Sequence, residues 1–177
     1  MIPRPNNRRR PAPWLLGLCL LLALACSSLK REVRDEYAPW REVREGGLEW
    51  RAPERFVRKD LASFVLYQPA SESPALPFVG VGNLDRLPAG QSAADLLQSF
   101  RPRRPDEAAR NQPAEATVAG RPARGYESAD AQMHGWTFVI EEAGKPRAVL
   151  LIGVPAYWSS ERAGAFRDVI LASVRLL

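Results

Sequence analysis

Few side chains in this chain stand in patterns that do chemistry. His134 is the sole histidine, and Glu127 and Asp130 precede it closely. That grouping suits a base with an orienting carboxylate, or a weak three-ligand metal site. A nucleophile is missing from the pattern, because no Gly-x-Ser-x-Gly elbow occurs. One histidine and one acylated cysteine, the complement expected of the mature chain below, cannot make a zinc site of the usual ligand set. The stretch Ala131–Gly135 around His134 therefore reads as a surface loop. Gly80-Val-Gly-Asn-Leu-Asp85 approaches a phosphate-binding loop but lacks the third glycine and the following helix. Glu141-Glu142 has the look of a carboxylate pair, yet neighbours on a strand face opposite ways, so a turn before Gly144 is the simpler reading. Arg101, Arg103, Arg104 and Arg110 form a basic cluster suited to an anionic surface or an acidic partner, opposed by Asp106 and Glu107 in the same segment. The sequence assigns no catalytic residue, no metal ligand and no cofactor.

Cys26 has the most informative surroundings. Residues 1–25 hold Arg4, Arg8, Arg9 and Arg10 and no acid, then an apolar run from Trp14 to Ala25 that ends on small residues. A basic start, a short apolar stretch and a small-residue exit describe a secretory signal peptide. The run is short of the ~20 residues that span a bilayer. Leu22-Ala23-Leu24-Ala25-Cys26 resembles the lipobox of bacterial lipoproteins, with Ala23 where most carry Leu. That resemblance implies removal of residues 1–25 and a lipid on the Cys26 thiol. Ala23-Leu24-Ala25 also suits ordinary signal peptidase, which would release a soluble protein, and a retained anchor is the third reading. Arg8-Arg9-Arg10 admits twin-arginine export, although Pro11-Ala-Pro13 follows in place of apolar residues. Cys19 lies inside the removed segment, so the mature chain would hold one cysteine and no internal disulfide.

The charge argument changes with the signal. The whole chain has 25 basic and 20 acidic residues. Without the four signal arginines, 21 basic residues face 20 acidic ones, and no clustered basic face remains to support nucleic-acid binding. The 177 residues less 25 leave 152, enough for one domain with a sizeable core. Its start, residues 26–46, is charged and poor in apolar residues, with an echo in Arg31-Glu-Val-Arg34 and Arg41-Glu-Val-Arg44. We read it as a charged tether, in part helical, that holds the domain off the membrane and, fully extended, reaches on the order of 65 Å.

The elements that must position any site follow from residue 47 onward. Strands are expected at Leu48–Arg51, Ser63–Tyr67, Pro77–Gly82, Ala116–Ala119, Ala123–Glu127, Trp136–Ile140 and Ala148–Ile152. Gly120-Arg-Pro122 reads as the turn of a hairpin. Ser92 with Asp95 marks a helix start whose apolar face is Leu96, Leu97 and Phe100. A second helix begins near Ser159 or Ser160, preceded by Tyr157-Trp158, an aromatic pair suited to binding or to packing on the helix start. Val174–Leu177 would rejoin the sheet. This order is that of an α+β domain.

Gly47-Leu-Glu-Trp-Arg-Ala-Pro53-Glu-Arg-Phe56, Gly90–Leu97, Thr117–Tyr126 and Ala165–Ser173 together resemble PsbP-like and DcrB-like proteins, over most of residues 47–177. The resemblance implies an α/β/α sandwich with a mostly antiparallel sheet and two main helices; the residue pattern by itself also admits another single-sheet α+β domain. It further implies an envelope lipoprotein that serves binding or assembly rather than catalysis. The expectation is a non-enzymatic protein held at the membrane by the lipid on Cys26, with an envelope protein as partner and no nucleic acid. Ser27 after the cysteine resembles outer-membrane sorting in cells with two membranes. A small periplasmic hydrolase, or a structural subunit of an envelope complex, are the alternatives.

Overall fold

A computed structural model describes residues 27–61, 63–71, 73, 75–82, 84, 92–99 and 112–177. Ten strands and three helices are described: α1 (27–36), β1 (Trp40–Glu45), β2 (Leu48–Pro53), β3 (Phe56–Asp60), β4 (Phe64–Pro69), β5 (Phe78–Gly82), α2 (Ala93–Ser99), β6 (Gln112–Val118), β7 (Arg121–Ala129), β8 (Met133–Glu142), β9 (Lys145–Pro155), α3 (Ser160–Ser173) and β10 (Arg175–Leu176). The fold is α+β, and every strand pairing is antiparallel. Instead of one sheet there are two, ordered β1-β2-β10 and β3-β4-β5-β9-β8-β7-β6.

β8 and β9 form the spine because both bury side chains on both faces, the pattern of covered central strands. Trp136, Phe138 and Ile140 on β8 join Ala148, Leu150, Ile152 and Val154 on β9 in the large core cluster. Val139 and Val149 point the other way, into a small cluster with Leu96 of α2. On the large side the small sheet closes over the long one: Trp50 meets Tyr67 edge-on, with centroids 5.4 Å apart. α2 starts on a reciprocal cap, Asp95 N–H donating to Ser92 Oγ while Asp95 Oδ2 accepts from Ser92 N–H. The Ser159 hydroxyl caps α3 by accepting from Arg162 N–H.

Residues 27–45 are not a free tether. Residues 27–36 are helical, and Val33, Tyr37 and Val43 are buried in the main core. Leu29, Val33 and Tyr37 recur every four residues, one stripe of a helix, and that stripe is all the packing requires. β1 likewise buries only Val43 between charged neighbours, and Trp40 packs at its start. A third helix therefore joins the two expected.

The β6–β7 turn lies one residue earlier than the sequence suggests. Ala119 and Gly120 both adopt positive φ (53° and 74°), as a two-residue hairpin turn requires, and Val118 pairs with Arg121. Pro122 is tolerated inside β7 because pairing to β8 begins only at Ala123.

Candidate functional site

The residues singled out from sequence divide into those the structure places and those it does not. Cys26, Arg101, Arg103, Arg104 and Arg110 lie outside the described residues. Ser27, next to Cys26, is the first described residue of α1.

His134 is not in a loop: it occupies the second position of β8, opposite Ala129 of β7. Its Nε2 lies 2.5 Å from Glu127 Oε1, and its ring lies against Trp136, tilted by 36° with centroids 4.3 Å apart. The Arg167 guanidinium lies 5.2 Å from the Trp136 centroid. Asp130 does not join them. Its Oδ1 accepts hydrogen bonds from the backbone N–H groups of Gln132 and Met133, both 2.7 Å, which closes the β7–β8 turn. No group of three histidine, cysteine or acidic residues converges among the described residues. The arrangement orients an imidazole between the Glu127 carboxylate and the Trp136 ring.

Glu141 and Glu142 fall at the end of β8, where the register with β9 shifts after Ile140. Glu142 pairs with Arg121 (2.7 Å) and Arg147 (3.3 Å), which makes it a surface ion-pair hub. Gly80 to Gly82 end β5 within the sheet, as expected for strand glycines rather than a phosphate cradle.

Sequence reasoning missed the groove at the far end of α1. Glu36, Tyr37, Arg55, Pro69, Tyr157 and Arg162 line an open groove of about 690 Å³, completed by Trp158 and Pro77. Five separate segments meet here, so only the aromatic pair was visible in one dimension. The two aromatics behave differently. Trp158 packs edge-on against Phe166 (5.8 Å, 84°), whereas Tyr157 is 80% exposed. Arg162 covers the Trp158 ring at 4.5 Å and Arg55 covers the Tyr37 ring at 4.7 Å, both cation–π geometries. Glu36 binds Arg162 at 2.7 Å, and Arg55 donates to the Glu36 carbonyl at 3.4 Å. Burial, aided by the Glu36 carboxylate, pushes the Tyr37 hydroxyl up to about 12, so it stays a neutral phenol. Aromatic faces, prolines and guanidinium groups are suited to recognising extended peptide or planar anionic groups.

Among the described residues no helix is long and apolar enough to cross a membrane. Neither a protein-family model nor a curated protein matches the chain.

Proposed function

We propose that this chain is a lipid-anchored, non-enzymatic protein of the cell envelope, acting as a binding or assembly module at the membrane. The observation that carries the reading is the pattern before Cys26: four arginines, a short apolar run and a small-residue exit at a cysteine. Lipidation gives a lone thiol in an oxidising compartment a chemical role. The lipid on Cys26 is the membrane contact, and Ser27 after it favours the outer membrane in a cell with two membranes. Arg101, Arg103, Arg104 and Arg110 would add contact with anionic headgroups, each basic residue near such a surface contributing about 1 kcal/mol. The groove at Tyr157, Arg55 and Trp158 is the surface offered to an envelope protein.

The finer fold reading is an α/β/α sandwich of the PsbP-like or DcrB-like kind. Core packing on both faces of β8 and β9, with α3 contributing to one cluster and α2 to the other, supports it. A hydrolase would use the His134–Glu127 pair, and it would need a nucleophile within hydrogen-bond reach of that ring. Metabolic labelling with a fatty acid tests the main reading. The wild-type chain should take up label and fractionate with membranes, and Cys26→Ala should do neither. Label uptake unchanged in Cys26→Ala would refute it.

A further inference from the structure

β6 ends the seven-stranded sheet, and among the described residues no strand pairs with its outer edge. We propose that this edge is a second docking surface, which takes an extended peptide of a partner protein as an added strand beside α3. The proposal goes beyond the Tyr157 groove and does not depend on how the chain is anchored.

Register decides which backbone groups the edge offers. The two-residue turn makes Val118 and Arg121 a hydrogen-bonded pair, and bonded and non-bonded pairs alternate from there. Ala116 and Ala114 therefore bond to β7, while Thr117 and Glu115 turn their N–H and C=O groups outward. Pro113 and Pro122 fall in that outward set, where a missing N–H costs the β6–β7 ladder nothing. Pro113 has no donor to offer, so the edge that can pair runs from Ala114 to Val118, roughly 17 Å at strand rise. The Glu115 side chain does not obstruct it. Ala114 and Ala116 pack on the main core, so Glu115 lies on the other face, opposite Arg124.

Main-chain bonds give such a strand its affinity, and sites for alternate side chains give it specificity. Two adjoining clefts of about 520 and 550 Å³ follow β6 toward α3 and share Thr117, Leu171 and Ala172. Ala114 and Ala116 line the first, where their small side chains leave room for those of a ligand. Trp136 lines the same cleft at 3% exposure, and its buried indole N–H has no hydrogen-bond partner among the described residues. An unmet buried donor favours a ligand that brings an acceptor. The second cleft lies at the turn end, where Arg121 and Arg175 line it and, among the described residues, no acid does. The carboxylates that pair with them, Glu142 and Glu49, also serve Arg147 and Arg44. The bound segment thus carries small apolar residues at alternate positions and an acidic residue facing Arg121 and Arg175.

The test selects a displayed library of random peptides on the immobilised full chain and measures the enriched sequences by fluorescence anisotropy. Alternating small apolar residues with an Asp or Glu toward one end should recur. Thr117→Pro removes one outward N–H and no ladder bond, and should weaken binding about tenfold, the loss expected of one or two main-chain hydrogen bonds. Arg121→Gln should weaken the acidic peptides and spare versions with the acid replaced. On the wild-type chain, N-methylating alternate peptide amides should abolish binding in one set and spare it in the other. No enriched peptide, or equal effects of the two methylation sets, would overturn the proposal. Peptides that lose binding in Tyr157→Ala and not in Thr117→Pro would overturn it in favour of the other groove. A dimer of the full chain that Thr117→Pro dissociates would give the edge to a second copy and overturn it too.

Discussion

One nitrogen of Arg162 donates to both carboxylate oxygens of Glu36, at 2.7 and 2.8 Å, across 126 residues of sequence. The bond ties the first described helix to the last. Its value is as a marker of docking, because both side chains are more than a third exposed and such pairs contribute under ~1 kcal/mol.

The stability of the α1 contact lies in Tyr37. Its ring meets Phe166 at 5.3 Å and Phe56 at 5.9 Å and is 4% exposed. Truncating a buried aromatic costs roughly 3–5 kcal/mol. Tyr37→Ala should therefore lower the urea midpoint strongly, while Glu36→Ala should shift it little. A free tether would leave the midpoint unmoved by either substitution.

Alkaline titration gives an independent readout of the same packing. The Tyr37 hydroxyl is raised from 10.0 to about 12 by burial first and by Glu36 second. The folded state thus holds its proton longer than the unfolded state. That contribution to stability is complete below pH ~10 and is lost as pH rises toward ~12. Burial also raises the Tyr67 hydroxyl, so absorbance at the tyrosinate band should show a late step that Tyr37→Phe diminishes by one tyrosine, and the variant's stability should decline less over this range. No change in the late step would contradict the burial of Tyr37.

Acid has the opposite sign at Asp168. Burial alone would raise this carboxyl; hydrogen bonds from Lys30 and Arg167 outweigh it and hold the group below the usual range. Its contribution is present above the unfolded value near ~3.9 and is lost as pH falls through the lower folded value. Asp168→Asn should flatten the acid limb of a stability–pH curve and leave the alkaline limb alone. An acid limb identical to wild type would show that this pair does not hold α1.

Gly125 is a packing requirement on the sheet. A Cβ there would stand 1.8 Å from the Thr137 carbonyl oxygen, a backbone atom that cannot step aside. Gly125→Ala should cost at least about 2 kcal/mol in chemical denaturation. At Gly144, φ is +74° and nothing lies within 4 Å, so alanine there meets only backbone strain of about 1–2 kcal/mol. Equal costs at the two positions would argue against the β7–β8 approach.

Much of the architecture was legible because its signals are local. The Ser92–Asp95 cap, the apolar runs of β8 and β9, the α3 start at Ser159 and the return of residues 175–176 to the sheet all follow from neighbouring residues. What stayed hidden was sparse burial under charge. β3 buries only Phe56 and exposes Val57 to Asp60, so it carries little alternation to read. α1 and β1 show apolar residues too thinly spaced to outweigh the acids and arginines around them. The stretch Ala131–Gly135 reads as a loop around His134, yet Gly135 sits opposite Ser128 inside the ladder. The groove was illegible for another reason: its lining comes from segments more than 100 residues apart.

The most direct measurement of the central claim is the intact mass of membrane-extracted protein beside Cys26→Ala. The account predicts loss of residues 1–25 and a diacylglyceryl adduct on the remaining chain, absent from the variant. A cleaved chain without lipid in the soluble fraction would contradict it.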